Sequence, residues 1–265
     1  MTNKQRKGLK DVCDGLKGVG LPLYLAKADI RQRYRRSSLG PFWITISTGV
    51  MIACIGIIFG NLFKSPIKDF LPFLAAGLII WSFISTVLIE ATQVFITAEP
   101  IIRQLPIPIF SHVTRVVARN FIIFLHNIVI YPIVCLCVMR GFNFNVLLVI
   151  PGLALLIVNL LWMGLVIGIV CTRFRDMGQI VQSLLQIVFY VTPIIWMPSL
   201  LPARAGSMIL DPNPFYHLLE IVRAPLMSIA PSATNWLVSI GIAIVGWFFS
   251  ILLFDKYKTR IAYWL

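Results

Sequence analysis

Apolar residues in this chain come in long unbroken runs. Stretches without Asp, Glu, Lys or Arg occupy 41–63, 71–89, 120–139, 141–172, 177–203 and 224–254. Each can hold one transmembrane helix, which needs about 20 apolar residues to cross a hydrocarbon layer of about 30 Å. A charge at mid-bilayer costs roughly 2.5–3.5 kcal/mol on insertion scales, so spans are expected to be empty of it. Pro151 puts the entry of the fourth helix near 148, giving 148–172, and Pro225 and Pro231 leave 234–254 for the sixth. A β-barrel strand alternates apolar and polar positions over about ten residues. Ile55-Gly56-Ile57-Ile58-Phe59-Gly60 does not alternate. The pattern predicts an all-α membrane protein with six transmembrane helices.

The flanking charges orient those helices. Residues 1–40 carry ten Lys and Arg. With six spans and both ends on one side, that side also receives Arg103, Arg115, Arg119, Arg173, Arg175, Lys256, Lys258 and Arg260. Only Lys64, Lys68, Arg140, Arg204 and Arg223 fall on the other. Lys and Arg concentrate in cytoplasmic loops, so both termini are expected in the cytoplasm. This divides the sequence into a cytoplasmic tail with an interface helix at 1–40, a transmembrane domain at 41–254, and a cytoplasmic tail at 255–265. No small-residue cleavage site closely follows the first apolar run, so the first span is read as an uncleaved signal anchor.

Composition excludes a soluble fold. Hydrophobic residues make up 58% and charged residues 12% of the 265 positions, against about 45–50% and 25% in soluble domains. The net charge of +13 reports topology, and no RNA- or DNA-binding motif accompanies it. The five cysteines lie in or beside spans, apart from Cys13, and read as packing residues.

Catalytic chemistry is missing from the sequence. There is no GxxxxGK[ST] loop, HExxH or GxSxG. His112, His126 and His217 are scattered, and His126 is expected to bond neutrally to a neighbouring helix. No paired carboxylates occupy a span, as a proton- or sodium-driven carrier would need, and Glu90 lies at a helix end within reach of water. The residues describe a pathway whose energy comes from elsewhere, with no cofactor in this chain.

Four segments carry more information. The first is Ala28-Asp29-Ile30-Arg31-Gln32-Arg33-Tyr34-Arg35-Arg36-Ser37-Ser38-Leu39-Gly40-Pro41-Phe42-Trp43. Lys27, Arg31 and Arg35 are four apart, one helical face, and Leu21, Tyr24, Leu25 and Ala28 follow i, i+3, i+4, i+7 spacing. The stretch reads either as a plain positive flank or as a helix on the cytoplasmic membrane surface, its arginines near anionic headgroups. The others are Arg103-Gln104-Leu105-Pro106-Ile107-Pro108, Arg173-Phe174-Arg175-Asp176, and Thr192-Pro193-Ile194 followed by Asn213-Pro214 and Arg223.

In order and spacing these segments resemble the type 2 ABC exporter permeases, most of all the polysaccharide and O-antigen export family of the Wzm type. Those begin with an amphipathic interface helix and an R-Y-x-x-S-x-L-G-P-x-W signature, matched here by Arg33-Tyr34, Ser37 or Ser38, Leu39-Gly40-Pro41 and Trp43. Two departures are a Thr-Pro at 192–193 where Ser-Pro is commoner, and no proline around Ser47-Thr48. The resemblance implies a place in the bacterial inner membrane, outer re-entrant helices between spans five and six, two copies of the chain forming the pore, and two copies of a cytoplasmic ATP-binding subunit. ATP and Mg would sit in that partner, and the substrate would be a lipid-linked glycan. Rival expectations are a capsule, teichoic-acid or drug permease, a motor-free channel or scramblase, and a membrane glycosyltransferase.

The residues themselves suit these roles. Prolines stiffen 91–111 into a short helix between rigid turns, fit either for a connector or for coupling to the ATPase through Glu99, Arg103, Leu105 and Pro106. Arg175 and Asp176 are placed in the same coupling set, with Asp176 a possible cap of span five. Arg31, Arg33, Tyr34, Arg35 and Arg36 form the interface helix. Residues 197–233 are proline-rich yet apolar, and such backbone at membrane depth must be buried or line water. Asp211-Pro212-Asn213-Pro214 is expected as the turn between two short dipping helices. Asn213, Pro214, Glu220 and Arg223 would form the outer gate, with Glu220 and Arg223 paired at i, i+3. Trp81, Phe83 and Tyr190 are expected to stack on sugars along the channel. Gly56-x-x-x-Gly60 and Gly164-x-x-x-Gly168 allow close helix contact.

Overall fold

A computed structural model describes residues 7–35, 42–62, 66–139, 141, 143–200 and 202–265. Among these every regular element is helical. Two short helices, α1 (Lys7–Lys17) and α2 (Gly20–Arg33), precede α3 (Phe42–Leu62) and α4 (Ile67–Ala91). A six-residue helix, α5 (Glu99–Gln104), leads to α6 (Phe110–Asn127) and α7 (Ile130–Cys137). A 3₁₀ turn at Phe144–Leu148 opens α8 (Val149–Arg173), and α9 (Met177–Val191) follows a tight turn. After a second 3₁₀ turn come α10 (Ala203–Leu210), α11 (Pro214–Leu226) and α12 (Ala233–Trp264).

Among the described residues five segments are long and apolar enough to cross a membrane: α3, α4, the α6–α7 run, α8 with its 3₁₀ turn, and α12. Of these α4 is the most enclosed, with 78% of its apolar window buried against 11% for α3. A helix that is apolar all round belongs inside a bundle. Accordingly α3, α6, α8 and α11 pack around α4.

The expected fifth crossing, 177–203, is shorter than the charge-free run suggested. α9 has 15 residues, about 22 Å at 1.5 Å per residue. It stops where Thr192 turns extended, with ψ 134°. Pro193 disfavours helical backbone in the residue before it, which places the stop. The third and last helices err the other way. α6 begins ten residues before the charge-free run at 120, taking in Arg115 and Arg119. α12 runs unbroken through the expected tail 255–265 to Trp264. Charges that seemed to end these spans have partners: Arg115 and Arg119 pair with Asp29 and Glu90, Lys258 pairs with Asp11, and Asp255 accepts from the Gly8 amide. α6 and α7 separate at Ile128–Val129, where the ring of Pro132 would clash with the carbonyl four residues back.

Small residues set the closest approaches. Gly56 and Gly60 face Leu71 and Phe70, while Gly164 and Gly168 face Val113 and Val94, so both motifs serve packing within one copy. Asn159, fully buried, donates to the Ser239 carbonyl at 3.2 Å and accepts from Trp162 Nε1 at 3.0 Å, polar glue between α8 and α12. A Cβ at Gly152 would collide with the Ile221 carbonyl of α11. The obstacle is backbone and cannot swing aside. Gly152→Ala is therefore expected to push α11 off α8 at a cost of about 1–3 kcal/mol, the range for overpacking. A thermal scan in detergent checks this; an unchanged midpoint would refute the close fit.

Candidate functional site

The basic end of the bundle is held by a half-buried charge network. Asp29 of α2 accepts from Arg115 Nε at 2.8 Å and Arg119 Nη1 at 2.7 Å, with a further contact from Arg115 Nη2. Glu90 of α4 accepts from Arg119 Nη2 at 2.7 Å, Arg33 Nη2 at 3.2 Å and Asn120 Nδ2 at 2.5 Å. Burial pushes the Asp29 carboxyl up, but the Arg115 and Arg119 guanidiniums outweigh this and hold it below its usual range. The expected interface helix is thus docked on α6 through Asp29 and on α4 through Arg33. Arg31 and Arg35 stay exposed, as do Leu21 and Tyr24, and Tyr34 is half-buried at the end of α2. Arg36 lies outside the described residues, as does most of the signature that follows it.

The α4–α6 loop is clasped from two sides. Pro100 occupies the first turn of α5, and Glu99 pairs with Arg103 at 2.9 Å on the surface. Leu105 turns extended before Pro106 and is 52% exposed. Asp11 of α1 then caps α6, accepting from the amides of Ile109 at 3.2 Å and Phe110 at 2.9 Å. Lys258 of α12 reaches the same carboxylate at 2.7 Å, and the Gly8 amide meets Asp255 Oδ1 at 2.5 Å. A groove of about 450 Å³ runs between these elements, lined by Asp14, Leu105, Pro106, Ile107 and Thr259. Arg175 instead lines a separate cavity beside Arg33. The six expected coupling residues therefore fall in two places. Asp176 stands at the start of α9 but makes no capping bond, so its expected capping role is corrected.

At the opposite end α10 and α11 form the expected pair of short helices, with 211–213 as their turn. Asn213 caps α11, accepting from Phe215 N at 3.0 Å and Tyr216 N at 3.3 Å, while Pro214 fills the first helical position. Asn213 Nδ2 also donates to Thr192 Oγ1 at 2.9 Å, tying α11 to the end of α9. Arg223, fully buried, pairs with Glu220 through Nε at 3.1 Å and donates from Nη1 to the Pro193 carbonyl at 2.5 Å. Its guanidinium carbon stands 4.0 Å from the centre of the Phe73 ring. His126 bonds within its own helix, Nδ1 to the Ile122 carbonyl at 2.7 Å, rather than to a neighbouring one.

Two of the three expected channel aromatics are corrected. Trp81, 7% exposed, packs against Phe189 and Phe215 with ring centres 6.0 Å away in each case. Phe83, 4% exposed, packs against Phe124 at 5.2 Å. Both belong to the enclosed α4 and offer no surface to a passing molecule. Tyr190 is 59% exposed. It stands on α9 in a stripe the sequence reading missed: Gln179, Gln182, Ser183 and Gln186 are all exposed. Their i, i+3, i+4, i+7 spacing is a legible helical face. Asp11 and Asp29, by contrast, carry no local signal, because their partners lie 98 and 86 residues away. Among the described residues no His, Cys, Asp and Glu gather as metal ligands would.

Comparison with known proteins agrees with this layout. The family described as ABC-2 type transporter matches residues 23–227, from α2 to the end of α11. The chain is 22% identical to the O-antigen export system permease protein RfbA of Myxococcus xanthus over 206 residues, 77% of this chain and 79% of that protein. It is 25% identical to the polysialic acid transport protein KpsM of Escherichia coli over 211 residues, 75% of this chain and 78% of that protein. With its family match running through the docked α2, the clasped loop and the short helix pair, this multi-pass membrane chain belongs to the ABC-2 type transporter family.

Proposed function

We propose that this chain is the permease subunit of an ATP-driven exporter that passes a lipid-linked polysaccharide, such as O-antigen, outward across the bacterial inner membrane. The observation that carries this reading beyond the family is the exposed polar face of α9, with Gln179, Gln182, Ser183, Gln186 and Tyr190 in one stripe. An amide left unbonded in hydrocarbon costs several kcal/mol, roughly 2–7 depending on the reference state. That face therefore belongs against water or sugar hydroxyls, and a tyrosine among glutamines suits a glycan. The two relatives named for O-antigen and polysialic acid point to the same class of cargo.

A second copy of the chain closes the path, since α3 is largely uncovered within one copy. Two copies of a cytoplasmic ATP-binding subunit, holding ATP and Mg, dock at the basic end. The exposed Arg103, Leu105 and Pro106 rim offers them a rigid handle, braced by Asp11 and Lys258. Closure of those subunits pushes the loop and, through α6, opens the α9 face. Both termini then lie in the cytoplasm.

Deletion of the gene tests this. Lipid-linked glycan is expected to accumulate inside the cell while surface glycan disappears. Unchanged surface glycan would overturn the reading. Ion conduction by the purified chain alone would favour a motor-free channel instead.

A further inference from the structure

The exposed polar stripe of α9 is built from neutral groups alone. Asp, Glu, Lys and Arg are missing from 177–203, and the stripe consists of Gln179, Gln182, Ser183, Gln186 and Tyr190. From Gln179 to Tyr190 it runs about 16 Å, at 1.5 Å per residue. The helix that a second copy would set against this path, α3, adds no charge either, since 41–63 holds none.

Charge gathers at the two ends instead. Arg33, Arg115, Arg119 and Arg175 line the cavity that Gln179 and Gln182 also line, at the inner end. At the outer end Arg223 is committed to Glu220 and to the Pro193 carbonyl. Along α9 between them no cation meets a passing group. Pores that pass anions carry rings of Lys or Arg, because an ion taken out of bulk water without a countercharge is heavily penalised. Sugar hydroxyls need no such partner. A glutamine amide offers donors and an acceptor, and a serine hydroxyl serves either way. Such groups can follow a row of hydroxyls in any register, as a sliding polymer requires. The Tyr190 ring adds an apolar face with a polar tip.

We propose that α9 is a charge filter, so that this permease passes uncharged glycans and rejects chains with an acid group in every repeat. Each acid group of such a chain would be drawn to the inner arginines and would then have to cross the stripe without a cation. Gln182 and Gln186, in the middle of the stripe, set the selectivity. This inference rests on the proposed function and adds the charge class of the cargo.

The test uses a bacterial strain stripped of its own glycan exporter and supplied with this chain and its ATP-binding partner. The strain makes one of two lipid-linked polymers: a neutral polymer of hexoses, or the same polymer with a hexuronic acid replacing one hexose in each repeat. Surface and intracellular glycan are measured against the amount of permease in the membrane. The neutral polymer is expected at the surface, and the acidic one at a level lower by about tenfold or more, with the balance trapped inside. Gln182→Arg combined with Gln186→Arg should raise acidic export several-fold. Gln182→Glu combined with Gln186→Glu should not, which separates charge from polarity. Gln179→Lys, beside the inner arginines, takes the place of the arginine pair if that variant fails to reach the membrane. Equal surface levels of the two polymers in wild type overturn the filter and leave the export reading standing. Acidic export that stays unchanged with the added cations, or rises as much with the glutamates, overturns it too. Neither polymer reaching the surface also overturns the filter, and a gene deletion that traps no glycan removes the export reading as well.

Discussion

Arg223→Ala is expected to yield a protein that inserts but unfolds at its outer end and exports nothing. Arg223 is the largest fully buried side chain described. It joins three things that must stay together: Glu220 on its own helix, the Pro193 carbonyl just past α9, and the Phe73 ring of α4. Truncation strands Glu220, whose side chain is 13% exposed, without its partner. Breaking a buried pair by removing one member costs about 3–5 kcal/mol, because the surviving charge is left uncompensated. The helix break at Thr192-Pro193 magnifies the loss, since α9 reaches α11 there through Arg223 and through Asn213. Arg223→Lys should recover only part of the stability, a single ammonium being unable to serve carboxylate and carbonyl as a fork does. Glu220→Gln combined with Arg223→Met should be more stable than Arg223→Ala alone. Thermal unfolding in detergent and surface glycan supply the two readouts. Additive effects of the two substitutions would show that the pair is not coupled.

The same residue shows where sequence was informative. Glu220 and Arg223 are three apart on one helix, and their pairing was legible. The third partner, a carbonyl 30 residues back, was not. Charge-free runs located the five described membrane-crossing helices but not all of their ends, because hydrocarbon excludes only unpaired charge. They failed where charge is paired: α6 starts early because Asp29 and Glu90 neutralise Arg115 and Arg119, and α12 runs on because Asp255 and Lys258 have partners in α1. Trp81 and Phe83 were misread because residue type reports what a side chain can stack on, not which helix occupies the centre. The glutamine face of α9 needed only helical spacing and was available from the start. It went unread because the run held no charges and was treated as uniformly apolar.

Asp29→Asn is expected to release α2 from the bundle. Asp29 is the only acceptor for Arg115 in the network and shares Arg119 with Glu90. Charge-assisted hydrogen bonds contribute about 1.5–3 kcal/mol each, and every 1.4 kcal/mol is about a factor of ten. Loss of one such bond should speed hydrogen exchange in the amides of α2 about ten- to a hundredfold, while α4 stays protected. The same contact fixes a pH dependence. The carboxyl's folded pKa is lowered from the model-peptide value of 3.8, so its contribution is complete above that value and is lost as pH falls through the folded pKa. Docking of α2 should therefore be flat from neutral pH down to about pH 5 and weaken below about pH 4, the ordinary carboxylate range. In Asp29→Asn the same profile should be fast at every pH. Arg31→Ala, on the exposed face, should leave exchange unchanged. The comparison separates two anchors for the N-terminal helix. If Asp29→Asn exchanges as slowly as wild type, α2 is held by lipid headgroups around Arg31 and Arg35, and the charge network is not what joins it to the bundle.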